Sequence, residues 1–251
     1  MLTEKRHKII LDMLQEKRSI TVSEIKDKLG ISESTIRRDL NSLDRDRKLM
    51  KVFGGAVALD AVPSVTELSV PQKLRVNEQQ KRCIARYAAS MIPPDGLVYL
   101  DAGTTTGYML EYLVEKSVTF VTNAVEHARR LAVAGCHVFL VGGELRGTTE
   151  AVVGAQAVLS IQKYHFTMGF FGTNGISLRH GCSTPDSNEA LVKKTAIGQC
   201  SQVYVLADST KFDEVSSVSF AGYHDVQIIS ERIPQGYEKC GNILLAEDGV
   251  L

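Results

Sequence analysis

From residue 97 onward the chain alternates short, mostly apolar runs with segments of helical period. The runs fall at 97–101, 119–122, 138–141, 166–171, 203–207, 226–229 and 243–245. A strand covered on both faces reads as a continuous apolar run, and strand–helix alternation lays such strands side by side in parallel. The pattern therefore predicts an α/β domain with a mostly parallel sheet over 76–251. A first helix is expected over about 77–91, ended by Pro93-Pro94-Asp95-Gly96.

That domain leaves 58 residues at the start and a stretch at 59–75, with Pro63, Ser64, Pro71 and Gln72, that lacks periodicity and reads as a linker. A length of 251 residues fits two domains, and 44% hydrophobic residues exclude a disordered chain. The 29 Lys and Arg balance the 29 Asp and Glu, so only a local asymmetry can point to a polyanion. Residues 1–58 hold 13 basic and 9 acidic groups against 16 and 20 in the rest, making the first part the basic one. Five scattered cysteines without a CxxC pair and six histidines without HExxH spacing predict reduced thiols, no metal and no cofactor. The absence of a signal-like or membrane-spanning apolar run leads to the expectation of a cytoplasmic protein with no membrane partner.

Within 1–58 the sequence predicts three short helices and a hairpin. Ile9, Ile10, Met13 and Leu14 share one side of a helix over about 3–17. Thr21-Val22-Ser23-Glu24 is a capping box that opens the second, which ends at Gly30, and Ser32 caps the third after a tight turn. At about 100° per residue, Ile36, Leu40 and Leu43 of the third helix fall on one side, and Ser34, Arg37, Arg38 and Asn41 on the other. Arg suits bidentate contact with guanine or phosphate and Asn suits adenine, which is the chemistry of a major-groove reader. The same face could equally be a solvated, salt-bridged one. Residues 45–57, with Lys48, Lys51 and the Gly54-Gly55 pair, read as two strands of a wing along a DNA backbone.

In an open parallel sheet, ligands bind beyond the carboxyl ends of the strands. Those ends here are Asp101-Ala102-Gly103-Thr104-Thr105-Thr106-Gly107, Thr122-Asn123, Gly142-Gly143 with Arg146 beyond, Gly172-Thr173-Asn174-Gly175 and Asp208-Ser209-Thr210-Lys211. The threonine loop opens a helix and suits a phosphate, without being a P-loop or a dinucleotide loop; it could also be a plain N-cap. Arg146 and Lys211 could neutralise a phosphate, while Asp101, Asp208 and Glu189 could accept from sugar hydroxyls. Thr184-Pro185-Asp186 with Glu189 would cap a helix as readily as line a pocket.

Thr35-Ile36-Arg37-Arg38-Asp39-Leu40 with Gly54-Gly55-Ala56 resembles the winged helix-turn-helix of the DeoR family of transcriptional regulators. Arg47-Lys48 stand where the family usually has a glycine near the wing tip, and Phe53 where it has His. The second half is similar to the family's sensor domain, itself akin to ribose-5-phosphate isomerase. The similarity runs through Asp101-Ala102-Gly103-Thr104-Thr105, Thr122-Asn123, Gly142-Gly143, Asn174-Gly175-Ile176, Asp186 with Glu189, and Asp208 with Lys211-Phe212. Thr173 departs from the family's usual Ala. The resemblance implies a repressor of a sugar uptake or catabolism operon that binds operator DNA through Ser34, Thr35, Arg37, Arg38, Asn41 and Lys51. It further implies a phosphorylated-sugar effector at the strand ends. One recognition helix reads a half-site, so at least a homodimer is expected. The rival reading is a sugar-phosphate isomerase or lyase using Asp208, Glu189 or Lys211 as acid and base.

Overall fold

A computed structural model describes residues 3–17, 19–46, 48–52, 54–57, 69–113 and 117–246. The chain divides into two compact units, Met1–Val65 and Thr66–Leu251.

The first unit runs α1 (Thr3–Lys17), β1 (Ser19–Thr21), α2 (Val22–Leu29), α3 (Glu33–Arg45), β2 (Met50–Val52) and β3 (Gly55–Val57). Its turns follow from local chemistry. The Thr21 hydroxyl accepts from the Glu24 amide and the Glu24 carboxylate accepts from the Thr21 amide, which closes the capping box. Gly30 ends α2 at φ 61°, a left-handed conformation that costs a residue with a Cβ. The Ser32 hydroxyl then accepts from the Thr35 amide to start α3. Ile10, Leu14, Ile25, Ile36, Leu40, Leu43 and Leu49 pack together as the core. The expected hairpin gains a third strand, in the antiparallel order β1-β3-β2. Gly55 is required by that addition, because a Cβ there would sit 2.1 Å from the Ile20 carbonyl oxygen. Arg47 and Phe53 lie outside the described residues.

The second unit is built on a seven-stranded sheet in which every neighbouring pair is parallel. Its strands are β4 (Leu97–Leu100), β5 (Thr119–Thr122), β6 (His137–Leu140), β9 (Phe166–Gly172), β12 (Cys200–Leu206), β14 (Gln227–Ser230) and β15 (Ile243–Leu245). They correspond to the seven apolar runs. The order is β15-β14-β12-β9-β4-β5-β6, so the chain moves outward from β4 through β5 to β6 and then returns to β9 on the other side of β4. The helices α5 (Glu78–Ser90), α6 (Thr104–Met109) and α7 (Val125–Val133) pack on Val98, Leu100, Phe120 and Phe170. α8 (Ala155–Ile161) and α9 (Ser187–Ile197) pack with Tyr99, Val121, Phe171 and Val205, the side chains of the opposite face.

Two features depart from the sequence reading. Residues 59–75 were expected to be a linker, yet Val70–Leu74 forms a short helix, α4: Pro71 occupies its first turn, and the Gln72 side chain takes the Ser69 amide. Pro and a capping residue start helices as well as break them, which is why composition alone misled. Residues 59–68 lie outside the described residues. Strands of three or four residues also went unforeseen: the hairpin β7 (Glu144–Arg146) with β8 (Ala151–Val153), and the antiparallel set β10 (Gly175–Ser177), β11 (Gly181–Thr184) and β13 (Val218–Ala221).

Candidate functional site

On α3 the division of faces is sharp. Ile36, Leu40 and Leu43 are fully buried, while Ser34, Arg37, Arg38 and Asn41 are exposed. Asp39 leaves the polar string and turns inward, where Arg6 of α1 donates to it at 2.6 and 2.9 Å and His7 lies 3.4 Å away. Burial alone would raise the Asp39 carboxyl; the hydrogen bonds and charge of Arg6 outweigh it and hold the group below its usual value. The salt-bridged alternative for this face thus applies to Asp39, which is clamped to α1. Arg38 has no ion pair or hydrogen bond among the described residues, and Arg37 has a loose one to Glu33 at 3.9 Å. Lys51 of β2 donates to the Asn41 side chain at 2.6 Å, and its amide to Asp44 at 3.0 Å, so strand and helix present their donors together. Ser34 and Thr35 hydroxyls both bond to the Ser32 hydroxyl at 2.9 Å.

In the second unit a cleft of about 230 Å³ opens beyond the carboxyl ends of β4 and β9. These are the strands between which the chain reverses direction across the sheet, the place where a parallel sheet parts its loops. Gly103, Thr104, Thr105, Asn174, Glu189, Asp208 and Lys211 line it. No hydrogen bond occupies the hydroxyls of Thr104 and Thr105 among the described residues, and none occupies the ammonium of Lys211.

The other strand-end residues stand behind the wall, each with a structural task. Asp101 is 1% exposed, accepts from the Gly172 amide at 3.0 Å and is ion-paired with Lys193. Thr106 donates to the carbonyls of Asp101 and Gly103, and Thr122 to that of Leu100. Asn123 bridges the Ala102 amide and the Val152 carbonyl. Gly142 and Gly143 form the turn into β7, and Gly175 is buried in β10. Arg146, expected to meet a phosphate, is taken up by Glu189 at 2.9 Å and Asp186 at 3.5 Å. Thr149 also donates to Glu189, so that carboxylate is held in place.

Helices supply what the strand-end rule missed. Lys73 of α4, Lys81 of α5, His127 and Arg130 of α7 and Lys193 of α9 all line the cleft. Lys81 is only 4% exposed and donates to the Lys73 carbonyl oxygen. Burial, with help from the charges of Lys211 and Lys73, brings its ammonium down to about 8 against the pull of Asp208. Asp208 in turn accepts from Asn77 at 3.0 Å and from the Thr210 side chain and amide. Three lysines therefore lie near one another with Asp208 beside Lys81, in a cleft that Glu111, Glu126, Glu150 and Glu189 also line. Burial lowers His127 to about 4 and keeps it neutral. One signal was available: Lys81 shares the i, i+3, i+4 side of α5 with the buried Ile84 and Ala85, an odd place for a lysine. No cluster of three or more metal-ligating side chains exists among the described residues, and no helix there is long and apolar enough to cross a membrane.

A winged helix-turn-helix with an exposed row of donors, joined to an α/β unit with a polar cleft at its switch point, defines a DNA-binding regulator with a sensor. Family models agree: residues 6–62 match the DeoR-like helix-turn-helix domain and 76–232 the DeoR C-terminal sensor domain. The chain belongs to the DeoR family of transcriptional regulators. It is 38% identical to the uncharacterized HTH-type transcriptional regulator FruR of Bacillus subtilis (strain 168), over 92% of this chain and 91% of that protein. It is 30% identical to the lactose phosphotransferase system repressor of Staphylococcus aureus (strain N315), over 88% of each. A solved ribose 5-phosphate isomerase A from Neisseria gonorrhoeae overlaps 55% of this chain and 54% of its own with a TM-score of 0.40 at 16% identity. The isomerase or lyase reading of Asp208, Glu189 and Lys211 gives way: relatives matching along nearly the whole chain are named as regulators and repressors.

Proposed function

We propose that this protein represses a sugar uptake or catabolism operon, binding the operator as at least a dimer, and that a phosphorylated sugar in the cleft modulates that binding. The observation that carries the proposal is the meeting of Lys73, Lys81 and Lys211 at one end of a cleft on the sheet's switch point. A nearly buried ammonium without a carboxylate ion pair is costly, and a bound dianion repays it through charge-assisted hydrogen bonds. The free hydroxyls of Thr104 and Thr105 sit at the start of α6, where helix amides lack internal partners. Asn174 and the anchored Glu189 offer a polar wall for hydroxyl groups, and about 230 Å³ suits a small metabolite. The likeness to a lactose phosphotransferase system repressor points the same way, to a sugar-linked operon.

DNA binding is assigned to Ser34, Thr35, Arg37, Arg38, Asn41 and Lys51. Effector binding falls to Gly103, Thr104, Thr105, Asn174, Glu189, Asp208 and Lys211, joined by Lys73 and Lys81, with the remaining strand-end residues shaping the cleft from behind. The test is a mobility shift on the DNA upstream of the protein's own gene, with a panel of pentose and hexose monophosphates, the free sugars and inorganic phosphate. A shifted band released by one phosphorylated sugar and by none of the free sugars is expected. No specific shift, or a shift indifferent to every phosphorylated sugar, overturns the reading.

A further inference from the structure

The seven-stranded sheet ends on β6, which pairs with β5 alone. The Val141 amide donates to the Thr122 carbonyl, which sets the parity of the parallel ladder: His137, Phe139 and Val141 turn their backbone groups to β5. Val138 and Leu140 must then turn both N–H and C=O outward, and neither has a hydrogen-bonded neighbour on that side among the described residues. Native sheets guard such an edge with charge, proline or a bulge. None is present here. Residues 134–143 read Ala-Gly-Cys-His-Val-Phe-Leu-Val-Gly-Gly, without a Lys, Arg, Asp, Glu or Pro. Phe139 is 42% exposed and Leu140 45%, and the helix that feeds the strand ends on Val133, 79% exposed.

We infer that β6 is the pairing edge for a second copy of this chain, joining two seven-stranded sheets into one across a two-fold axis. This inference rests on the two-copy part of the proposed function and names its surface. A two-fold axis through the sheet can set a strand against itself only antiparallel, and an open edge is then its own complement in donors and acceptors. Absence of charge on 134–143 means that self-pairing meets no like-charge repulsion. Parity limits the register to pairs of outward-facing residues, and the one centred on Phe139 is the register that uses both of them within His137–Leu140. Val138 and Leu140 carry the outward groups, so each exchanges two hydrogen bonds with the other residue of the pair in the partner copy. Phe139 then faces its own counterpart in the central, non-hydrogen-bonded pair, where side chains come closest.

The test compares the full-length wild type with Leu140→Pro and Phe139→Cys. The Leu140 amide makes no bond within the sheet, and proline is tolerated on the open side of an edge strand, so Leu140→Pro removes hydrogen bonds only from the joined pair. In sedimentation at micromolar concentration, a dimeric wild type and a monomeric Leu140→Pro with unchanged far-ultraviolet dichroism are expected. Phe139→Cys should give an oxidant-dependent crosslinked dimer absent from the wild type, whose own five cysteines serve as the control. Should Leu140→Pro not fold, the crosslink decides alone. A monomeric wild type overturns both this inference and the two-copy reading. A dimeric wild type with a dimeric Leu140→Pro and no Phe139→Cys crosslink overturns the β6 edge and leaves the two-copy reading standing.

Discussion

The two units present charge in opposite ways. The α3 face carries arginines on a solvated surface, with Arg38 unpartnered among the described residues, and its acidic neighbour Asp39 is turned inward and neutralised by Arg6. The cleft does the reverse, keeping Lys81, Lys193, Asp101, Asp208 and Glu189 all nearly buried and arranging hydrogen bonds around each carboxylate. A surface that must meet a long polyanion works by exposure, since phosphate contacts and base edges supply the order. A pocket that must recognise a small molecule has to be pre-ordered, because each misplaced buried charge costs more than a contact returns.

The comparison is broken most completely by disabling one unit alone. Gly55→Ala pushes a Cβ to 2.1 Å from the Ile20 oxygen and 3.0 Å from the Thr21 Cα, both backbone atoms that cannot step aside without β1 leaving the wing sheet. Operator binding should vanish in a mobility shift. The rise in melting temperature expected from the proposed sugar-phosphate effector should remain, since that gain depends only on binding to the folded sensor.

Next in size is the α3 face itself. Arg38→Ala should weaken operator binding by ~1 to 3 kcal/mol if the guanidinium reads a base, with relaxed preference at one position. A phosphate contact would instead weaken all sequences alike and reduce the salt slope by about 1. Fluorescence anisotropy at several salt concentrations separates the two, and unchanged affinity removes Arg38 from the reader.

Lys81 gives a pH signature peculiar to the cleft. Its ammonium, lowered to about 8, is charged at pH 7 and neutral at pH 9. Affinity for a sugar phosphate should fall as pH rises through about 8, approaching roughly tenfold per unit, while the ligand stays dianionic throughout. Stability of the unliganded protein should move the other way. The unfolded chain keeps this proton toward the ordinary 10.5, so it binds more protons than the folded state and stability rises between about 8 and 10.5. Lys81→Met should abolish both trends in calorimetric titration and thermal melts; their persistence would place the titrating group elsewhere. The smallest effect is local: Ser32→Ala removes the α3 cap, costing the first unit ~1 kcal/mol in thermal melts and leaving the cleft untouched.

The same contrast explains what the sequence disclosed. On α3 the proposed reading face is contiguous, so the period of one helix sorted Arg37, Arg38 and Asn41 from Ile36, Leu40 and Leu43, and the same period places Asp39 inward. The seven sheet strands were legible because each carries a mostly apolar stretch, whereas the missed Glu144–Arg146, Gly175–Ser177 and Gly181–Thr184 mix apolar residues with charged, hydroxyl or glycine ones. The cleft was half legible. Strand-end residues are found by one topological rule, but that rule cannot tell Thr104, which faces the cleft, from Thr106, whose hydroxyl serves the Asp101 and Gly103 carbonyls. Lys73, Lys81 and Lys193 reach the site from helices far away in sequence, and only tertiary packing brings them together. The ion pairs of Arg146 were not legible either, because an arginine near glycines says nothing of Asp186 and Glu189, the N-cap and first turn of α9, that meet it.

The central claim is that the cleft and the reading surface belong to one regulator and sense each other. Linkage makes this measurable from the sensor side: if the effector changes operator affinity by some factor, saturating operator must change effector affinity by the same factor. Calorimetric titration of the active sugar phosphate into the protein alone, and into the protein saturated with operator DNA, tests it directly. Coupling of ~1 to 3 kcal/mol predicts effector affinities that differ by about 5- to 150-fold between the two titrations. Equal affinities would contradict the account, even with both sites in working order.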